Sequence, residues 1–153
     1  MSDRATAPVV AVALLLAVSV ATATVVGALV LDRAAPADPP PRAAFSLRAD
    51  ASGSIALTHL GGDPVDPDTL RMRVMVDGEP IAHQPPVPFF AARGFESGPT
   101  GAFNGATRGP WRPGETATLR LAGTNTRLRE GSTVTVRLWI DGSPLARLEA
   151  RVG

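Results

Sequence analysis

An uninterrupted run of 27 uncharged residues, Ala5 to Leu31, constrains this chain more than any other feature. Its polar members are Thr6, Ser19, Thr22 and Thr24. A bilayer core about 30 Å thick is spanned by about 20 apolar residues in helical form. Pro8 suits the first turn of such a helix, where its missing N–H costs nothing. The run therefore predicts a hydrophobic N-terminal helix with a membrane or signal role.

Two ordinary roles are open for such a run. In a secretory signal peptide, Val9 to Val20 would be the hydrophobic region and Ala21-Thr22-Ala23 the cleavage site. The run continues past that site to Leu31, which favours a helix that stays in the mature chain. An uncleaved membrane anchor is the second role. Arg4 on one flank is balanced by Arg33 and Arg42 on the other, so flanking charge does not set the orientation.

A third role comes from resemblance. The stretch Asp-Arg-Ala-Thr-Ala-Pro-Val-Val at residues 3–10, followed by a Val/Ala/Leu run to Val30, resembles the archaeal type IV pilin N-terminal domain family. In that family a dedicated prepilin peptidase cuts directly after a short charged leader that ends in Arg. The resemblance implies a leader over residues 1–4 and a processing site between Arg4 and Ala5. It also implies a leader motif made of Asp3, Ala7, Pro8, Val9 and Val10.

The same resemblance implies that residues 5–31 form a helix that is held in the membrane and later packs in a filament core. Its partners would be the prepilin peptidase, the membrane, and like or related pilin subunits. Helices that pack without water as the driving force use small residues at their contacts. Such residues recur here at three- and four-residue spacing: Ala13, Ala17, Ala21, Thr24 and Ala28. An Ala-rich helix also produces such a stripe by chance.

Residues 32–44 form a Pro-rich segment. It holds four prolines, three of them consecutive at Pro39–Pro41, a composition that favours extended polyproline II and a semi-rigid spacer. The change in composition predicts a domain boundary near Phe45. The spacer would hold the following domain clear of the membrane or filament core.

Residues 45–153 have the pattern of an all-β domain, with apolar and polar residues alternating in short runs between Gly, Pro and Asp. The clearest predicted strands are 54–59, 69–76, 116–122, 132–140 and 145–152. Two runs end in Asp-Gly, at Asp77-Gly78 and Asp141-Gly142, which predicts tight hairpin turns. The length and strand number predict an antiparallel β-sandwich, immunoglobulin-like in size but without its cysteine pair.

The two Asp-Gly hairpins resemble each other in sequence. DTLRMRVMVDGEPIA at residues 68–82 aligns with STVTVRLWIDGSPLA at residues 132–146. The same 64-residue offset places Ile55 and Leu57 on Leu119 and Leu121. A unit of strand, loop, strand, Asp-Gly and strand therefore occurs twice, or else the same turn chemistry arose independently.

The segment 83–114 between the hairpins is rich in Gly and Pro, yet it carries five of the seven aromatic residues. They are Phe89, Phe90, Phe95, Phe103 and Trp111. A loop of this length in a compact domain is usually functional or disordered. One hypothesis is that these aromatics form a contact surface for neighbouring subunits or an adhesion target. The alternative is that they fill the edge and core of the sandwich.

Composition argues against several kinds of chemistry. The net charge of +1 gives no electrostatic footprint for nucleic acid, and the absence of cysteine removes thiol chemistry and thiolate metal sites. His59 leads into Asp63, Asp66 and Asp68, but their spacing does not match a calcium loop, and the prolines there indicate turns. His83 is isolated. We expect no enzyme activity, metal or cofactor.

The sequence therefore predicts a structural subunit, major or minor, of an archaeal type IV pilus-like surface filament that supports adhesion. The chain would sit in the cell membrane with its C-terminal domain outside, and in the surface filament after assembly. The alternative is a membrane-anchored extracellular β-sandwich binding module that does not form filaments.

Overall fold

The computed structural model of the chain describes residues 3–33, 39 and 41–153, and within the helix the side chains of residues 8–28. The chain divides into two compact units, Met1–Pro39 and Pro40–Gly153. Residues 1–2 of the predicted leader lie outside the described residues. Residues 34–38 and 40 of the predicted linker do so as well. The extended form of the linker therefore stays a prediction.

The first unit contains one long helix, α1, which spans Asp3–Arg33. The predicted N-terminal helix is confirmed, and it extends two residues beyond residues 5–31 at each end. Pro8 lies in the second turn of the helix and not in the first turn, where the sequence analysis placed it. A proline near a helix end removes a single backbone hydrogen bond, and the surrounding Ala, Val and Leu residues continue the helix on both sides.

The second unit is built from seven strands and two short 3₁₀ turns. The strands are β1 (Ala43–Ala49), β2 (Ser54–Gly62), β3 (Leu70–Val76), β4 (Glu79–Pro80), β5 (Thr116–Arg120), β6 (Thr133–Ile140) and β7 (Ser143–Arg151). The 3₁₀ turns are Pro67–Thr69 and Gly101–Phe103. All five predicted strands are present. The strand β1 and the two-residue strand β4 were not among them.

The strands form two antiparallel sheets that face each other across an apolar core. One sheet has the order β1-β2-β5 and the other the order β4-β3-β6-β7. A single parallel bridge between Ala49 and Val152 links the edge strands of the two sheets. The largest fully buried side chains are Trp111, Phe103, Ile55, Leu57, Leu70, Leu119 and Leu138. The predicted β-sandwich following an apolar helix is confirmed.

The sandwich begins earlier than the predicted boundary at Phe45. Strand β1 starts at Ala43, so the last two residues of the predicted linker belong to the sheet. The preceding residue, Arg42, is fixed by two hydrogen bonds to Asp63: its N–H donates to Oδ2 at 2.9 Å, and its carbonyl accepts from the Asp63 N–H at 2.8 Å. These bonds tie the entry of the domain to the end of β2.

Both Asp-Gly pairs form the tight turns that the sequence predicts. Asp77 and Asp141 have φ of 51° and 46°, and the glycines that follow have φ of 86° and 80°. Two positive φ values in succession match the twist of the flanking strands, so the turns connect β3 to β4 and β6 to β7. The Thr133 N–H donates to the Asp77 carboxylate and lowers the pKa of that group.

The strand registers pair residues that the 64-residue offset makes equivalent. At the 64-residue offset, Arg73 corresponds to Arg137, and these two residues pair directly between β3 and β6. Ile55 corresponds to Leu119, and they pair directly between β2 and β5. In both sheets, the strands that the offset makes equivalent are direct neighbours, β2 with β5 and β3 with β6. This pairing favours an internal repeat over two independent turns.

Candidate functional site

The predicted processing site lies in the first turns of α1. Asp3 is the first helical residue, and Arg4, Ala5 and Ala7 follow within the helix. The side chains of residues 3–7 are outside those the structure describes. Pro8, Val9 and Val10 of the predicted leader motif are all exposed.

Pro8 has a direct consequence for the peptide bond between Arg4 and Ala5. In an α-helix each N–H donates to the carbonyl four residues earlier. Pro8 has no N–H, so the Arg4 carbonyl has no donor at the usual helical position. This carbonyl belongs to the bond that the resemblance assigns to the peptidase. The helix therefore leaves that carbonyl outside its hydrogen-bond ladder.

From Pro8 to Ala28 the helix presents an uncovered apolar surface. These 21 residues form a segment long and apolar enough to cross a membrane, and none of its side chains is buried by the rest of the described chain. A 21-residue helix is about 32 Å long, close to the thickness of a bilayer core. An apolar helix of this length near the N-terminus fits a membrane anchor or a signal sequence.

The polar side chains in this helix bond to the helix itself. Ser19 Oγ donates to the Leu15 carbonyl at 2.8 Å, and Thr24 Oγ1 donates to the Val20 carbonyl at 2.8 Å. Thr22 Oγ1 does the same to the carbonyl four residues before it. Hydroxyl groups that bond to their own helix need no water. The segment therefore has no unpaired hydroxyl to oppose burial in lipid or among other helices.

The small-residue stripe follows one side of the helix surface. At about 100° per residue, its five members fall within about 80° of arc. The side chains of this arc are exposed, so a second helix could approach closely along it. The stripe would allow close packing of a helix, but it does not indicate which helix packs there.

The aromatic contact surface predicted in segment 83–114 is wrong for four of its five residues. Phe89, Phe95, Phe103 and Trp111 are buried in the sandwich. Short bridges attach the segment to the sheets, including Val65 to Trp111 and Phe95 to Leu121. All four aromatics belong to the apolar core cluster, so they fill the sandwich and do not present a contact surface.

Phe90 is the exception, with 65% of its surface exposed. Its neighbour Phe89 is buried and packs against Phe95 at 5.4 Å between ring centroids. A single exposed aromatic is common on protein surfaces. Of the predicted contact surface, only Phe90 remains available to a partner.

The group formed by His59 and the following aspartates builds local structure. His59 is fully buried, its ring lies 4.8 Å from that of Phe45, and its Nε2 is 3.0 Å from the Asp63 carbonyl. Asp66 Oδ1 accepts the Asp68 N–H at 3.0 Å, which starts the 3₁₀ turn. The expectation of turn construction at Asp66 is confirmed. Among the described residues, no three His, Asp or Glu side chains come together as a metal site would require.

The structure brings together one group of side chains that the sequence reasoning missed. Arg71 and Arg73 of β3, Arg137 of β6, and Arg147 and Arg151 of β7 point outward from the same sheet face, which we call the arginine face. The signal was present in the sequence as Arg at alternating positions within predicted strands. Only the pairing of β3, β6 and β7 shows that these arginines are neighbours.

The chain was compared with known proteins. No protein family model matches it. An uncharacterized protein of Archaeoglobus fulgidus is 29% identical over 126 residues, which cover 80% of this chain and 77% of that protein. The chain is thus similar along most of its length to an archaeal protein. That protein's description assigns no activity, ligand or partner.

Proposed function

We propose that this chain is a structural, non-catalytic subunit of an archaeal type IV pilus-like surface filament. Helix α1 holds the subunit in the cell membrane before assembly, and the β-sandwich lies outside the cell. A prepilin peptidase removes residues 1–4 by cutting between Arg4 and Ala5. The processed helices then pack together in the filament core, and the exposed domains support adhesion.

The observation that carries the proposal is the uncovered apolar helix surface from Pro8 to Ala28. A filament core needs a helix that is stable in lipid before assembly and among other helices afterwards. The self-bonded hydroxyl groups of Ser19, Thr22 and Thr24 suit both environments. Processing in the first turn of the helix, rather than after the helix, keeps this surface in the mature subunit.

Two further observations support the proposal. The Arg4 carbonyl has no helical donor because Pro8 lacks an N–H, and a peptide bond outside the hydrogen-bond ladder is easier for a peptidase to engage. The sandwich is a compact unit of its own, Pro40–Gly153, following a Pro-rich segment. Such an arrangement suits a globular domain displayed from a packed helical core.

Processing is tested with an Arg4→Gln variant expressed in cells that contain an archaeal prepilin peptidase. We expect the unaltered chain to lose residues 1–4 and the variant to keep them, a difference that intact mass resolves. Arg33→Gln, which removes one charge from the other flank of the helix, is the matched control and should be cut normally. Cleavage of the Arg4→Gln chain between residues 4 and 5 at the rate of the unaltered chain would contradict the proposed processing site.

A membrane-anchored binding module that does not form filaments is the second candidate. The observation that favours it is the arginine face, because an exposed cluster of like charges suits a ligand as well as a neighbouring subunit. This function predicts a chain that keeps residues 1–4 and is confined to the membrane. Recovery of processed chains in sheared surface material would contradict it.

A further inference from the structure

The outer face of the β3-β6-β7 sheet has an unusual charge pattern. Arg73, Arg137 and Arg147 occupy directly paired positions on three neighbouring strands. Neighbouring strands are about 4.8 Å apart, so the row spans about 10 Å. Like charges directly opposite each other in a sheet destabilise it. The fold carries this row together with Arg71 and Arg151 on the same face.

Little within the protein compensates these charges. Glu149 lies on the arginine face and pairs with Arg147 at 2.8 Å. The hydrogen bond from Arg147 lowers the pKa of Glu149, which keeps that carboxylate ionised. Within residues 41–153, no carboxylate forms an ion pair with the four other arginines of the face. The face therefore has an excess of positive charge, although the whole chain is nearly neutral.

A hollow of about 410 Å³ lies on this face, beside the row of arginines. It forms at a β-bulge, where Leu145 is the extra residue between the β6 and β7 pairs. Arg137 and Arg147 flank it, and Trp139, Pro144 and Leu145 give it apolar walls. Its volume is in the range of about 300 to 1,000 Å³ that is typical of small-ligand sites.

One polar atom at the hollow has no partner. The Nε of Arg137 is buried and makes no hydrogen bond to the described residues. A buried N–H without an acceptor is destabilising, and native proteins rarely contain one. An anionic group bound in the hollow would lie next to the Arg137 guanidinium. A carboxylate or sulfate presents planar or fork-like oxygens that match a guanidinium with two parallel hydrogen bonds.

We propose that the arginine face binds an acidic polysaccharide, with one sugar ring against Trp139 in the hollow and its carboxylate or sulfate group on Arg137 and Arg147. Further acidic groups along the polymer would contact Arg73 and Arg71. The apolar C–H face of a sugar suits an aromatic wall. This site has a single aromatic side chain for stacking. Proteins that bind single-stranded nucleic acid usually stack successive bases on several aromatic side chains.

This inference rests on the proposed function only in placing the domain outside the cell, where such polymers occur. Binding is measured on the purified full chain in nonionic detergent, so it does not depend on processing or assembly. A failure to bind leaves the filament proposal intact. A failure of processing leaves the binding result intact.

The test measures dissociation constants for polygalacturonate, heparin, polyphosphate and single-stranded DNA. Polygalacturonate and heparin distinguish carboxylate from sulfate recognition, and polyphosphate reports charge alone. We expect the chain to bind an acidic polysaccharide more tightly than polyphosphate or DNA, and the affinity to fall with added salt.

Two variants locate the site. Arg73→Gln combined with Arg147→Gln changes exposed side chains, and we expect it to weaken polysaccharide binding about tenfold or more. Trp139→Leu keeps apolar bulk but removes the ring, and we expect it to weaken polysaccharide binding about threefold without affecting polyphosphate. Arg48→Gln with Arg112→Gln removes the same charge elsewhere and should leave binding within about twofold.

Three results would overturn the inference. The first is an equal loss of affinity in the two double variants, which would indicate diffuse charge attraction. The second is tighter binding of single-stranded DNA than of either polysaccharide, which would indicate a nucleic-acid surface. The third is an unaltered polysaccharide affinity in the Trp139→Leu chain. Circular dichroism of each variant establishes that the sandwich is folded.

Discussion

Gly62 shows how a single residue fixes the entrance to the β-sandwich. Its φ is +101°, and a Cβ at this position would lie 2.1 Å from the Arg42 carbonyl oxygen. The adjacent Gly61 has open space around its Cβ position. The close approach at Gly62 accommodates the hydrogen bonds between Arg42 and Asp63 that start the domain.

A Gly62→Ala variant should therefore lose about 1–3 kcal/mol of the free energy of unfolding, because both the backbone angle and the contact are unfavourable. Gly61→Ala is the matched control and should change that free energy by less than about 1 kcal/mol. Urea unfolding followed by circular dichroism measures both. Equal stability of the two variants would contradict the strain assigned to Gly62.

Trp111 and Phe90 differ in burial, so replacing each of them tests which aromatics of the segment belong to the core. Trp111 is 1% exposed, its ring packs 4.9 Å from that of Phe45, and its Nε1 donates to the Glu115 carbonyl at 3.0 Å. Trp111→Ala should lower the free energy of unfolding by about 3–5 kcal/mol. Phe90→Ala should change it by less than about 0.5 kcal/mol. Similar small losses in both variants would mean that Trp111 is not a core residue.

Pro8 acts on a single backbone group, the Arg4 carbonyl. Pro8→Ala restores an N–H that can donate to the Arg4 carbonyl. A hydrogen bond worth about 1 kcal/mol would slow cleavage after Arg4 about fivefold. Val9→Ala keeps the proline and should be processed at the unaltered rate. A pulse-chase experiment measures both rates, and a Pro8→Ala chain processed as fast as the control would refute this role.

At the scale of the element, α1 carries the stripe that would pack against other helices. Ala17→Leu enlarges a residue on the stripe, and overpacking costs about 1–3 kcal/mol per contact. We expect this variant to insert and be processed normally, but to fall about tenfold in sheared surface material. Ala23→Leu makes the same change about 120° away from the middle of the stripe and should assemble normally. Normal recovery of the Ala17→Leu chain in sheared surface material would show that the stripe does not contact other helices.

The elements differ in how far the sequence could predict them. Strands β3 and β6 alternate apolar and polar residues and end in Asp-Gly, so local pattern and turn chemistry were sufficient. Strand β1 also alternates, from Phe45 to Ala49, but it does not end in Asp-Gly. It forms an antiparallel hairpin with the next strand, β2, and the hydrogen bonds between Arg42 and Asp63 close the open end of that hairpin.

The aromatic contact surface was mispredicted and the arginine face was missed for the same reason. Burial of Phe103 and Trp111 depends on how the segment packs on the core, which is set by the tertiary fold rather than by the composition of the loop. The arginine face depends on the β3-β6-β7 register, which places Arg73, Arg137 and Arg147 in one row. Alternation could show that each arginine points outward, but not that they are neighbours.

At the scale of the whole molecule, the chain combines two units with opposite requirements. The helix from Pro8 to Ala28 exposes apolar surface that water does not favour, whereas the sandwich buries its own core. The charges of the sandwich nearly balance in number but not in position. The helix has the length and composition of a membrane anchor or a signal sequence.

The central claim is that processing between Arg4 and Ala5, in the first turn of α1, produces a filament subunit. The most direct test is the N-terminal sequence and intact mass of the native protein, taken separately from membranes and from sheared surface material. We predict a mature start at Ala5, with the processed chain present in the sheared fraction. A start at Thr24 would mean an ordinary secreted protein, and a chain beginning at Met1 or Ser2 and confined to membranes would mean an anchored module. Either of these two results would contradict the account.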